Sequence, residues 1–143
     1  MKRALLLLAV LLVTACGGGS SNKRLTHAEF VAAVDRLCTQ ATNEVRQIPA
    51  ASGSQLHKDE RFASHVLTIQ SKFLKDARKL RPPVRDVALW KKALAYNEKL
   101  HATWRRIRDA AARGDAAATR AAAQHLQVIA QNPYYRRLGL KGC

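Results

Sequence analysis

The run Trp90-Lys91-Lys92-Ala93-Leu94-Ala95-Tyr96-Asn97-Glu98-Lys99-Leu100-His101-Ala102-Thr103-Trp104-Arg105-Arg106-Ile107-Arg108-Asp109-Ala110-Ala111 decides the fold class. Trp90, Ala93, Leu94, Asn97, Leu100, Trp104, Ile107 and Ala111 recur at steps of three and four, the repeat of an α-helix with one inward stripe. No proline or glycine interrupts them, and Gly114 supplies the stop. This is the longest helix the chain encodes, and its neighbours must pack around it.

Working outward, Phe62, Val66, Ile69, Phe73, Ala77 and Leu80 mark the inner face of a preceding helix that starts between Ser54 and Asp59. Arg81-Pro82-Pro83 stops it, and Pro83 suits the first turn of the next helix, where no donor is needed. Further upstream, Thr26-x-x-Glu29 is a capping box. Phe30, Val34, Leu37, Ala41, Val45 and Ile48 follow as the inner face of the first helix, with Cys38 on its flank and Pro49 as its end. Downstream, Asp115 is an N-cap, Ala118, Ala122, Leu126 and Ile129 face inward, and Pro133 ends the fourth helix. Tyr134, Tyr135, Leu138 and Leu140 can pack a short final turn against the rest. No alternating β-branched run and no internal repeat occurs. Short connections between four amphipathic helices predict an all-α, up-down-up-down four-helix bundle over residues 26–143.

The first residues follow a different logic. Met1-Lys2-Arg3 is a positive start, and Ala4 to Val13 is an apolar run well short of the roughly 20 residues a spanning helix needs. Val13-Thr14-Ala15-Cys16 and the following Gly17-Gly18-Gly19-Ser20-Ser21-Asn22 resemble a bacterial lipoprotein signal with its lipobox. The resemblance implies a signal peptide over 1–15, cleavage between Ala15 and Cys16, and a diacylglyceryl thioether on Cys16. It implies a place on the extracytoplasmic face of the cell membrane, or on the outer membrane of a Gram-negative cell. Two acyl chains hold a protein stably where one is marginal. Residues 16–25 then form the acylated cysteine and a flexible Gly/Ser tether. The competing reading is an ordinary secretory signal with a cysteine near its cleavage site.

Of 25 basic residues, Lys2 and Arg3 leave with the signal, so 23 face 10 acidic ones, a formal +13. Such an imbalance suits anionic lipid, a cell-wall polyanion or an acidic protein, and export removes nucleic acid from the candidates. The alternative is a compositional bias spread over a solvated surface. Lys72, Lys75 and Lys79, continued by Arg78, Arg81 and Arg85, follow one face of the second helix. Lys91, Lys92, Lys99, Arg105, Arg106 and Arg108 recur along the third. The candidate contact surface comprises Lys72, Lys75, Lys79, Lys92, Arg105 and Arg106. Two cysteines remain after Cys16, and in an oxidising compartment Cys38 and Cys143 most simply pair with each other. A buried free thiol at Cys38 with a frayed Cys143 is the other reading. The ending Gly139-Leu140-Lys141-Gly142-Cys143, with a partner cysteine in the first helix, also resembles small exported actinobacterial helical proteins of unknown function, which implies no activity.

Chemistry-bearing patterns are sparse. His65, His101 and His125 fall one each on the second, third and fourth helices, so a haem or metal site shared between helices is a weak candidate. Glu98-x-x-His101 supplies one Glu-x-x-His step, whereas di-metal bundles need two and further carboxylates. The single methionine, Met1, leaves with the signal. No Gly-x-Ser-x-Gly, phosphate loop or His-Glu-x-x-His is present. The sequence therefore predicts a non-catalytic binding or envelope-structural module with no cofactor. A small-ligand carrier using the three histidines is the alternative.

Overall fold

Helix α3 (Val87–Ala112) is the central member, and the computed structural model, which describes residues 23–143, packs α2 (Gln55–Ala77), α4 (Ala116–Ile129) and α5 (Pro133–Leu138) on it. Helix α1 (His27–Arg46) packs on α2, and a single 3-10 turn at Val84–Asp86 precedes α3. Ala15, Cys16 and the signal peptide lie outside the described residues. Among the described residues there is no strand, and no helix is long and apolar enough to cross a membrane.

The chain is the expected all-α four-helix bundle, and its contacts give the helix directions. Arg78–Glu98, Ser71–His101 and Phe62–Trp104 step down α2 as they step up α3, so the two run antiparallel. Leu25 N–H donates to Arg81 C=O at 2.9 Å, which sets the start of α1 beside the end of α2. The α3–α4 groove pairs Arg113 and Ala110 with Ala118, then Lys99 and Tyr96 with Ile129, again antiparallel.

Each helix start is closed locally. Thr26 Oγ1 accepts from Glu29 N–H, and the Glu29 carboxylate accepts from Thr26 N–H at 2.8 Å. That backbone bond, with the Thr26 hydroxyl, holds Glu29 below the usual carboxylate range. Ser54, Asp115 and Asn132 cap α2, α4 and α5 through their side chains. Asp86 sits at the N-cap of α3 but makes no capping bond. Its buried carboxylate instead meets His27 Nδ1 at 2.7 Å and ties α1 to α3.

The main core lies at one end, where Phe30, Val34 and Cys38 of α1 meet Ala77, Trp90, Ala93, Leu138 and Leu140. Toward the other end, Ala63, Val66 and Leu67 accompany Leu100, Thr103, Ile107, Ala110 and Thr119 in burial. Thr103 Oγ1 and Thr119 Oγ1 donate to the carbonyls of Lys99 and Asp115, so neither buried hydroxyl is stranded.

Several predicted inner positions move. Phe62 is 40% exposed, and Trp104 is half-buried with its ring 5.7 Å from that of Phe62. Val66 and Ala77 of the predicted α2 stripe are buried, but the apolar arc is broader than that stripe, and Ala63, Leu67 and Leu74 are buried with them. Thr103 and Ala110 replace Leu94 and Trp104 as buried positions of α3, because α4 packs on that side. On α4 only Thr119 is buried; Ala118, Ala122, Leu126 and Ile129 are half-buried, since α4 has one main partner, α3. Cys38, expected beside the inner face and partly inward, is buried, and Pro83 precedes the 3-10 turn instead of opening α3.

Candidate functional site

Three features could carry function: a tail hooked onto α1, the histidines, and the basic surface. The hook is a built structure. Asn132 opens α5 with Pro133 at its first position, and Gly139, at φ 80°, turns the chain out of the helix, where a side chain would be strained. Leu138 and Leu140 are then buried against α1 and α3, and Cys143 bonds Cys38 with Cα atoms 5.1 Å apart.

Asp35, one turn before Cys38, was not singled out by sequence, yet its Oδ1 accepts from the N–H groups of Lys141 and Gly142 at 3.0 and 2.8 Å. The i, i+3 spacing to Cys38 was the available signal, because it sets both side chains on one side of α1. At Gly142 an added Cβ would lie 2.9 Å from the Asp35 carbonyl oxygen, so only glycine allows this approach. Asp35→Ala is expected to cost about 1–2 kcal/mol, and Gly142→Ala a similar amount. Both should speed reduction of Cys38–Cys143 by dithiothreitol, as read by thiol titration; unchanged reduction rates in both would mean that the tail is held by the disulfide alone.

A polar knot fixes α5 to α3. Asn97 Nδ2 donates to Tyr135 Oη and to Ala93 C=O at 3.1 Å, and Asn132 Nδ2 donates to the same carbonyl at 3.0 Å. Burial raises the Tyr135 phenol to about 12, despite the two asparagines. Asn97 thus acts as a clamp on the C-terminal segment.

The three histidines do not converge. His65 is exposed on α2. His101 faces α2, with Nε2 3.1 Å from Ser71 Oγ and Nδ1 3.4 Å from Arg105 Nη2. Partial burial, then the nearby Arg105, lowers its affinity for a proton. His125 lines the α3–α4 groove instead. Glu98 of the Glu-x-x-His step is taken by Arg78 at 2.7 Å. Among the described residues, no group of three or more His, Cys, Asp and Glu side chains is placed to share a metal ion.

The basic residues separate into three surfaces. On α2, Lys72 pairs with Glu44 at 2.7 Å and Lys79 with Asp76 at 2.6 Å, and Lys75 adds to the field on Asp76. The hydrogen bond from Lys72 holds Glu44 below its ordinary range, and that from Lys79 does the same for Asp76. This face is therefore mixed in charge, not a cationic stripe. Arg106 lines the α3–α4 groove with Lys99, Arg113 and His125, over apolar walls that include Ala118 and Ala122. Lys92 is exposed on the first turns of α3, and Arg105, also exposed, reaches toward His101. The third surface, missed as a unit by sequence, forms where the chain reaches the α2–α3 turn: Arg24, Arg78, Arg81 and Lys91 line one cleft with Trp90 and Leu94.

Fold and surface together define a small helical domain closed by a tail disulfide. Comparison with family models, curated proteins and solved structures finds no match.

Proposed function

We propose that this chain is an exported lipoprotein, anchored through acylated Cys16 on the extracytoplasmic face of the cell membrane. In this reading it is a non-catalytic binding or envelope-structural module that uses a basic surface. The observation that carries the reading is the Cys38–Cys143 bond, which joins the first helix to the last residue across a separation of 105. Such bonds persist in oxidising compartments and are rare in the cytosol. A bond placed so that a tail is built around it agrees with the export implied by residues 1–16.

The partner is an anionic lipid, cell-wall polyanion or acidic protein, because the described cations outnumber the carboxylates that answer them. Cell fractionation tests the anchor. The natural chain should stay in the membrane fraction after a high-salt wash, which strips protein held only by charge. Cys16→Ala should leave that fraction. Retention of both forms alike, or loss of both, would refute the acyl anchor.

A further inference from the structure

The start of the domain is pinned to one end of the bundle. Leu25 N–H donates to Arg81 C=O at 2.9 Å, and Arg24 Nη1 donates to Pro82 C=O at 3.1 Å. Between Cys16 and Arg24 the chain can span at most about 28 Å even when fully extended. Helix α3, with 26 residues, is about 39 Å long. An anchor at Cys16 therefore keeps the Arg24 end near the bilayer and lets the opposite end, at Arg113, stand away from it.

This same end gathers basic side chains from the incoming chain, the end of α2 and the start of α3. A cleft of about 330 Å³ is lined by Arg24, Arg78, Arg81 and Lys91, with Trp90 among its walls. Lys23 and Arg85 are exposed beside it in the chain. Of the acidic residues close by, Glu98 is taken by Arg78, and Asp86, turned inward to His27 at 2.7 Å, also lies 3.9 Å from Arg85. Lys91 has no carboxylate at ion-pair distance among the described residues. Trp90 also packs in this end, and its buried Nε1 has no hydrogen-bond partner among the described residues. At the tip of the turn, Val84 is 75% exposed between Pro83 and Arg85. An exposed branched apolar side chain next to Arg85, at the end of the bundle that carries the basic cleft, is the chemistry of a surface that meets a lipid interface.

We propose that this end, comprising the Arg24–Lys91 cleft and the Val84 turn, docks on the anchoring bilayer. Its cations hold the phosphates of anionic phospholipids, and Val84 enters the interface. The orientation rests on the lipid-anchored reading, but the contact itself needs no acyl group, so the two can be tested apart. The α2 face is a poorer candidate because Glu44 and Asp76 answer Lys72 and Lys79. The Arg106–Arg113 groove is a poorer one because it lies toward the far end of α3.

The test uses the full-length Cys16→Ala chain, which can carry no acyl group on that residue. It is sedimented with vesicles of phosphatidylcholine alone, or of phosphatidylcholine and phosphatidylglycerol in equal parts. Arg85→Gln/Lys91→Gln removes two exposed cations; only Arg85 approaches a carboxylate, that of Asp86 at 3.9 Å, and Asp86 keeps its closer bond to His27, so the fold should survive, as a far-ultraviolet melt will show. Binding should require phosphatidylglycerol, and this double variant should lower the partition coefficient on the order of tenfold or more. Val84→Ser should lower it severalfold. Arg106→Gln/Arg113→Gln, equal in charge but at the other end, should leave it nearly unchanged. Equal losses in the two double variants, or equal binding to both vesicle types, would overturn the proposal. Strong competition by soluble glycerol phosphate would also overturn it, assigning the cleft to a free phosphate ester.

Discussion

Replacing both Cys38 and Cys143 by serine is expected to destabilise the domain by about 4–5 kcal/mol, the chain-entropy value for a loop of this length. The closed loop has a separation of 105, so it restrains almost the whole described chain in the unfolded state. For a domain of this size that corresponds to a fall in Tm on the order of 15–20 °C. Thermal melts of the oxidised chain and of the double variant, followed by circular dichroism, measure it directly. The hook's other contacts soften the loss only slightly, because Asp35 can hold the tail's two N–H groups but cannot restrict the unfolded chain. A fall below about 1 kcal/mol would mean that the unfolded chain is already restrained or that the bond is offset by strain.

Phe30→Ala is the second large effect, at about 3–5 kcal/mol. Phe30 is fully buried, and its ring meets that of Trp90 edge-on with centroids 5.1 Å apart. Around it stand Val34, Ala77, Ala93 and Leu138, drawn from α1, α2, α3 and α5, so no single helix can move to fill the space. Phe62→Ala is the contrasting control. That ring touches Trp104 but is 40% exposed, and its removal should cost about 1 kcal/mol. Urea unfolding of the two variants separates these values, and equal losses would contradict the position of the core.

Helix number, order and most boundaries were legible in sequence, because caps and three-four spacing are local signals. The Thr26–Glu29 box and Asp115 appear in their predicted roles, and Ser54, the first residue of the range in which α2 was expected to start, is its N-cap. Which part of a wide apolar arc becomes core was not legible. Phe62 and Leu67 are both apolar residues of α2, and only packing of α1 and α3 against that helix decides that Leu67 is buried and Phe62 is not. The Cys38–Cys143 pairing followed from cysteine arithmetic, whereas Asp35 and the glycine at 142 depend on the tail's path and could not be read beforehand. The basic surface was the least legible part. Helical spacing grouped Lys72, Lys75 and Lys79 as one face, but Glu44 comes from α1 to answer Lys72, a contact with a separation of 28 residues. Arg24, Arg81 and Lys91 are scattered in sequence and meet only because the incoming chain is bonded to the α2–α3 turn.

On the proposed reading the domain hangs from an acylated Cys16 in an oxidising compartment. Intact mass of the membrane-extracted protein, before and after reduction and alkylation, tests it most directly. The expected result is a chain beginning at Cys16 that carries the mass of two or three acyl chains, with two further thiols alkylated only after reduction. An unacylated product, or Cys38 and Cys143 alkylated without reduction, would contradict it.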